Sequence, residues 1–454
     1  MRTLLLVGLT SSLVACGPLS PTESGGGTTE TDTAIVAPET LSQVAEEPAV
    51  PRSPAVFATL LAEHDRLVAS GADAAEIAHV RARLDHVAAQ YDAHASRLYW
   101  YTDLEEAKAE ARRTGRPILS LHLLGRLDAE LSCANSRLFR MMLYANPHVA
   151  AVLRESYVLH WQSERPVPEI TIDFGDGRKV KRTITGNSIH YVLDSEGRVV
   201  DGIPGLYGPV AFESALKESL ELAKKSSALT DADSQKLVAK HHEQMVWRKT
   251  AQWRKLLRKA YGDGYEDRLG NATLPTSVGY TRWPDPLWNS LPAAVVNQLT
   301  ISKADTEGPP VALMQPQIYV GSPWEGWDKI TVFLPADKLA PESRAIFAAQ
   351  RPRDFNTKEA DALAPALLDK HLAYFEKRLA EESARNEYAF HGAIHERLRV
   401  PANVVLGPLD EWVYAKVFLT PAKDAWLGLM PTEAVTGITD DGLSSEAPAH
   451  RAMR

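Results

Sequence analysis

Hydrophobic spacing along the chain changes period several times. Between 54 and 97, apolar residues recur at helical intervals. Leu60, Leu61, Leu67 and Val68 form one stripe, Ile77, Val80, Leu84, Val87 and Ala88 a second, with Ser70-Gly71 between them. This predicts an antiparallel helical hairpin with a packing role. Next, Thr102 stands where an N-cap would open a helix through Arg113, with Leu104, Ala107 and Ala111 on one side and Glu105, Glu106 and Lys108 outside. Gly115 stops it, and Pro117 to Leu124 reads as a buried strand. A helix from about Cys133 to Arg154 follows, interrupted near Asn146-Pro147. Tyr157–Trp161 is a strand, and 169–184 a hairpin that turns at Phe174–Arg178. Strands Ile189–Leu193 and Arg198–Asp201 flank the turn Asp194-Ser195-Glu196-Gly197, and Phe212–Lys225 is an amphipathic helix.

From about 227 the pattern changes. Residues 231–260 read as helix, whereas 262–326 are rich in Pro, Gly and Trp, including Trp283-Pro284-Asp285-Pro286 and Trp324-Glu325-Gly326-Trp327. Such aromatics either plug the core under long connections or line a peptide or glycan groove. Ile330–Leu334 is predicted to be a strand, and helices are predicted at 342–350, 358–384, 386–398 and 409–418. The residues from about 436 read as frayed.

Composition narrows the function. Among 454 residues, 50 Lys and Arg against 58 Asp and Glu give a net charge of −8, which argues against nucleic acid as the main partner. A 44% hydrophobic content suits a packed globular protein. Only two cysteines are present, which excludes a disulfide scaffold, a four-cysteine zinc site, a cysteine-ligated iron–sulfur cluster and c-type haem attachment.

The first cysteine reads as an address. Arg2 precedes an apolar stretch from Leu4 to Leu13 that is too short to span a bilayer, the pattern of a cleaved secretory signal. Its ending, Leu13-Val14-Ala15-Cys16-Gly17, resembles the bacterial lipoprotein lipobox. The resemblance implies a signal peptide over 1–15 and a lipid on Cys16. With no Asp after the cysteine, it also implies sorting to the outer membrane, facing the periplasm. Residues 16–52 then form a disordered tether: Gly25-Gly26-Gly27, several Thr and Pro, no aromatic residue and no base before Arg52.

Helix, strand, helix, strand, insertion, strand, turn, strand and helix follow one another over roughly 98–226, and this order resembles the thioredoxin fold. Trp100, Asp103-Leu104-Glu105-Glu106-Ala107 and Gly115-Arg116-Pro117 are similar to the lead-in to its first core strand. Ser132-Cys133-Ala134-Asn135-Ser136 then stands at the active-site position. In such enzymes a Cys-x-x-Cys opens a helix whose amides and dipole stabilise the thiolate. Here Cys133 matches the nucleophile and Ser136 replaces the resolving cysteine, so a dithiol cycle within one chain is excluded. In place of the family's cis-proline, the loop expected to face the active site reads Thr185-Gly186-Asn187-Ser188. Cys133 is therefore either a reactive monothiol or a buried residue in a retired site.

Other constellations remain. Glu387, His391 and His395 stand at i, i+4 and i+8, a spacing that lets two histidines share a metal ion if the segment is helical. His241-His242-Glu243 reads as surface, since adjacent histidines point to different helix faces. Arg248, Lys249, Arg254, Lys255, Arg258 and Lys259 surround Trp247, Trp253, Leu256 and Leu257. This is either a solvated face or a contact for anionic headgroups or an acidic partner. There is no Gly-x-Ser-x-Gly, Walker loop or dinucleotide fingerprint, and no cofactor is expected.

The expected architecture is α/β: a helical hairpin at 53–97, a thioredoxin-like domain at 98–226 and a mainly helical C-terminal domain at 227–454. The expected function is a lipid-anchored envelope protein whose module binds envelope proteins or peptides, without catalysis or as a monothiol. The alternatives are a monothiol oxidoreductase or isomerase acting through Cys133 and, more weakly, a metal-dependent activity in the C-terminal half.

Overall fold

Ser53 and Asp73 open the first two helices, their side chains accepting the amides of Val56 and Ala75. In the computed structural model, which describes residues 51–183, 187–264, 327–350, 358–418, 420–422 and 437–439, these are α1 (Pro54–Ser70) and α2 (Ala74–Ala88). Gly71, at φ +67°, ends α1 in the left-handed conformation that favours glycine. Leu60, Leu67, Val80, Leu84 and Val87 close the hairpin over a core of its own. A short turn, α3 (Ala93–Ser96), leads to α4 (Leu104–Thr114).

Asp103, not Thr102, caps α4. Its carboxylate accepts the amides of Glu105 and Glu106 at 2.8 and 3.0 Å, and an ionised acceptor at a helix N-terminus outcompetes a hydroxyl. Thr102 instead accepts from Arg52.

β1 (Ile118–Leu124) is buried at every position, as a central strand covered on both faces must be. The chain then enters α5 (Ala134–Leu138), a π-helical turn (Phe139–Leu143) and α6 (Pro147–Ser156). The break falls at Asn146, which caps the amides of His148 and Val149, with Pro147 at the first helical position. β2 (Val158–Arg165) follows, then the hairpin β3 (Glu169–Asp173) and β4 (Lys179–Thr183), then β5 (Ile189–Leu193) and β6 (Val199–Pro204).

The sheet order is β2-β1-β5-β6. β1 runs parallel to β2, with Leu121 opposite Trp161, and antiparallel to β5, with Leu121 opposite His190. β5 and β6 are antiparallel, and β3 and β4 form a separate two-stranded sheet. The turn between β5 and β6 is built on Asp194, whose carboxylate accepts the amides of Glu196 and Arg198 and pairs with the Arg198 guanidinium.

α7 (Pro209–Ser227) and α8 (Asp231–Tyr261) follow. The remaining described helices are α9 (Trp327–Thr331), α10 (Pro341–Ala349), α11 (Lys358–Arg385), a π-helical turn (Asn386–His391), α12 (Gly392–Leu398), a 3-10 turn (Pro401–Asn403), α13 (Leu406–Trp412) and a last π-helical turn (Val413–Val417). The strand expected at Ile330–Leu334 is absent. α9 occupies its start, and Phe333 and Leu334 bond back to the carbonyls of Ile330 and Thr331. The run has β-propensity, but local turn bonds win over a strand with no partner. The Trp-rich stretch from 265 to 326 and residues 1–50, where the signal peptide and most of the tether are expected, lie outside the described residues.

The molecule is thus mixed α/β, with a small mixed sheet and a helical C-terminal region. One continuous cluster of buried apolar side chains runs from Ala89 through the sheet to Phe418. β6 packs against the π-helical turn 386–391 and α12, and α12 lies along α8. A cavity cut on the helical side should therefore loosen the sheet as well. Phe390→Ala, which removes a buried ring set edge-on to Phe418, should cost about 3 to 5 kcal/mol. Urea unfolding is expected to show that loss equally by tryptophan fluorescence and far-UV circular dichroism.

Candidate functional site

Cys133 sits where β1 delivers it, at the N-cap of α5. Its sulfur accepts the Ser136 amide at 3.4 Å and lies 3.2 Å from the Ser188 hydroxyl. Ser136 turns its hydroxyl to the Cys133 carbonyl and to the hydroxyl of Ser132. Asn187 and Ser188 are both buried, whereas Thr185 and Gly186 lie outside the described residues. Cys133 has no solvent exposure at all. The Tyr414 hydroxyl, from the last π-helical turn, donates to the Asn187 carbonyl at 3.4 Å. Arg165 holds the carbonyls of Thr420 and Pro421. The C-terminal stretch is thereby fixed against the loop that faces the cysteine.

Arg140, which sequence reasoning did not single out, organises the connection between β1 and α5. It is buried and donates to the carbonyls of Leu127, Ala129 and Glu130. Burial lowers its pKa to about 10.

A second group lies at the seam between β6 and the C-terminal helices. Glu387, His391 and His395 do come together, and the structure adds Asp201 and His242. His391 Nε2 is 2.9 Å from Asp201 Oδ1, and its Nδ1 is 3.2 Å from Glu387 Oε2. Asp201 also accepts the Gly202 amide and the Ser219 hydroxyl. Burial disfavours charge on His391, but Asp201 and Glu387 outweigh it and raise its pKa to about 10. Glu387 also meets Lys249, whose ammonium is held at 3.0 Å by Glu218 as well.

His242 corrects the surface reading of 241–243, since it is completely buried. Its Nε2 lies 2.8 Å from the Val200 carbonyl and its Nδ1 2.8 Å from His395 Nδ1. Burial lowers its pKa to about 4. The signal was present in the spacing: Val238, His242 and Met245 stand at i, i+4 and i+7, on the apolar stripe of α8. Asp201 could have been flagged as a carboxylate inside an otherwise apolar strand.

A third group ties β1 and β2 to α13. His122 Nδ1 lies 2.9 Å from Glu164 Oε1 and 3.1 Å from Asp410 Oδ1. Burial pulls His122 down, but Asp410 and Glu164 outweigh it and raise its pKa to about 9. No spacing in the sequence links these three residues.

Comparison with protein-family models, curated proteins and solved structures gave no match. The basic cluster on α8 divides: Lys249 turns inward to Glu218 and Glu387, while Trp247, Arg254, Lys255 and Arg258 face solvent. Between α7, α8 and α11 a cleft of about 250 Å³ is lined by Ser214, Glu218, Lys249, Asp337, Glu387 and Tyr388. Asp337 there accepts the Val210 amide at the start of α7, and burial raises its pKa to about 6.

The His122 group sets a pH dependence. Because its folded pKa is raised from 6.5 to about 9, its stabilising contribution is complete below about 6.5 and fades as pH rises through about 9. Urea midpoints should therefore fall between pH 7 and 9.5, and His122→Gln should shrink that fall. An identical slope in the variant would contradict the assignment.

Proposed function

We propose that this chain is a lipid-anchored protein of the bacterial cell envelope in which a thioredoxin-like module serves as a non-catalytic frame that binds envelope proteins or peptides. The lipobox-like Leu13-Val14-Ala15-Cys16 supports the anchor. No described helix is long and apolar enough to cross a membrane. The sheet order supports the thioredoxin-like reading: β1 is central, β2 is parallel to it, β5 and β6 are antiparallel, and a helix opens at Cys133.

One observation carries the choice of a frame over an enzyme. Thiol–disulfide exchange requires a thiolate that a partner's sulfur can reach. Cys133 is fully enclosed between Ser136 and Ser188, and Tyr414 is fixed to the carbonyl of Asn187. Binding then falls to the outer surface. The outward face of α8 suits an acidic partner, because Trp247 is 72% exposed among Arg248, Arg254, Lys255 and Arg258.

Iodoacetamide should label Cys133 in urea but leave it unlabelled in the native protein from pH 7 to 9. Cys133→Ser should keep any partner complexes intact. Native labelling at the rate of a free thiol, or disulfide-linked partners that vanish in Cys133→Ser, would restore the monothiol oxidoreductase. Incorporation of labelled palmitate that is lost in Cys16→Ser tests the anchor separately.

A further inference from the structure

We propose that Asp201, His391 and His395 form a binding site for one divalent transition-metal ion of the zinc class, with His242 and Glu387 orienting the two imidazoles. This inference goes beyond the frame proposed above and does not depend on Cys133.

The Val200 carbonyl can only accept, so His242 Nε2 carries a proton. Two Nδ1 atoms 2.8 Å apart share one proton, and placing it on His395 leaves both rings neutral in a fully buried position. His395 Nε2 is then a bare lone pair. It is buried and has no hydrogen-bond partner.

His391 presents a matching case. Its Nδ1–H faces Glu387 Oε2 at 3.2 Å, which leaves Nε2 opposite Asp201 Oδ1 at 2.9 Å. A lone pair and a carboxylate oxygen at that distance need a positive centre between them. A proton satisfies those two atoms and leaves His395 Nε2 without a partner. A divalent cation serves all three residues. Each of them offers a ligand atom, and these atoms lie within 4.8 Å of one another.

The surroundings fit a metal in other respects. Two imidazole nitrogens and one carboxylate oxygen are the donor set of borderline ions such as Zn²⁺ and Fe²⁺. Each histidine has its other ring nitrogen engaged, by Glu387 and by His242, the outer-shell pattern that fixes tautomer and ring orientation in metal sites. Asp201 is held by the Gly202 amide and the Ser219 hydroxyl. Three protein ligands leave a position for water. His395 also lines a small pocket with Lys249, Thr250, Trp253, Tyr388 and Glu396. The ligands come from β6 and from the 386–398 segment, so a bound ion would pin the sheet to the C-terminal helices. On binding, any proton held between His391 Nε2 and Asp201 leaves to solvent.

The test uses the full-length protein, stripped with a chelator and titrated with Co²⁺ and then Zn²⁺. The expected result is one ion per chain, a visible Co²⁺ absorption band, and two ring N–H proton resonances shifted by Co²⁺, from His391 and His395. His395→Gln, His391→Gln and Asp201→Asn should each weaken Zn²⁺ binding at least 100-fold with the circular dichroism spectrum retained. His242→Gln should weaken it about 10- to 100-fold. His122→Gln, in the other histidine–carboxylate group, should leave it unchanged. If a ligand variant does not fold, the two shifted ring N–H resonances of the parent protein decide. Absence of binding, binding indifferent to all three ligand variants, or binding lost only in His122→Gln would overturn the proposal.

Discussion

Asp201 is a carboxylate in the middle of a strand whose every residue is buried. An isolated charge there would be prohibitively costly, so the strand is tenable only with a compensating partner. That partner, His391, comes from a segment far along the chain, and His391 in turn needs Glu387, which meets Lys249. The α/β region and the C-terminal helices are therefore coupled by charge as well as by apolar packing. His122 with Glu164 and Asp410 repeats the arrangement at β1 and β2, and Asp337 does so at the start of α7. In the first two cases a titratable group buried in the α/β region is answered by a residue of the second half, and at α7 the second half's Asp337 accepts a backbone amide of the first. Breaking such a pair costs more than its net worth, because it leaves the other member buried and alone.

The cysteine site also meets the C-terminal helices, through Tyr414 and the loop at Asn187. A helix N-cap thiol beside a facing loop is an arrangement suited to redox chemistry, and Cys133 occupies one. The helices that the charged groups dock carry the last π-helical turn with them, and Tyr414 meets the loop at Asn187. Ser136 and Ser188 complete the enclosure by surrounding the sulfur with hydroxyl and amide partners in place of a second thiol.

Much of this was legible in the sequence where the determinant is local. The hairpin of α1 and α2, the run of β1, the Asn146-Pro147 break and the Gly-rich turn between β3 and β4 follow from periodicity and turn chemistry over a few residues. The grouping of Glu387, His391 and His395 was readable from their spacing. Other features depend on which segments meet in space. Nothing near Asp201 announces His391, nothing near His122 announces Asp410, and His242 stands beside a histidine that looks like surface. Ile330–Leu334 reads as a strand by composition, and α9 occupies its start because none of the described strands meets it. The burial of Cys133 likewise involves Ser188, from a segment 55 residues away, which its own surroundings do not reveal.

The account stands on the sheet and the C-terminal helices opening as one cooperative unit. Native-state hydrogen exchange on the full chain, read by mass spectrometry across a urea series, tests this most directly. Amides in Ile189–Leu193 and in Ile394–Leu398 should exchange with the same free energy and the same urea dependence. Both should fall together in Asp201→Asn. Helical amides that exchange at much lower urea while the strand stays protected would show that the helices open independently, and would contradict the account.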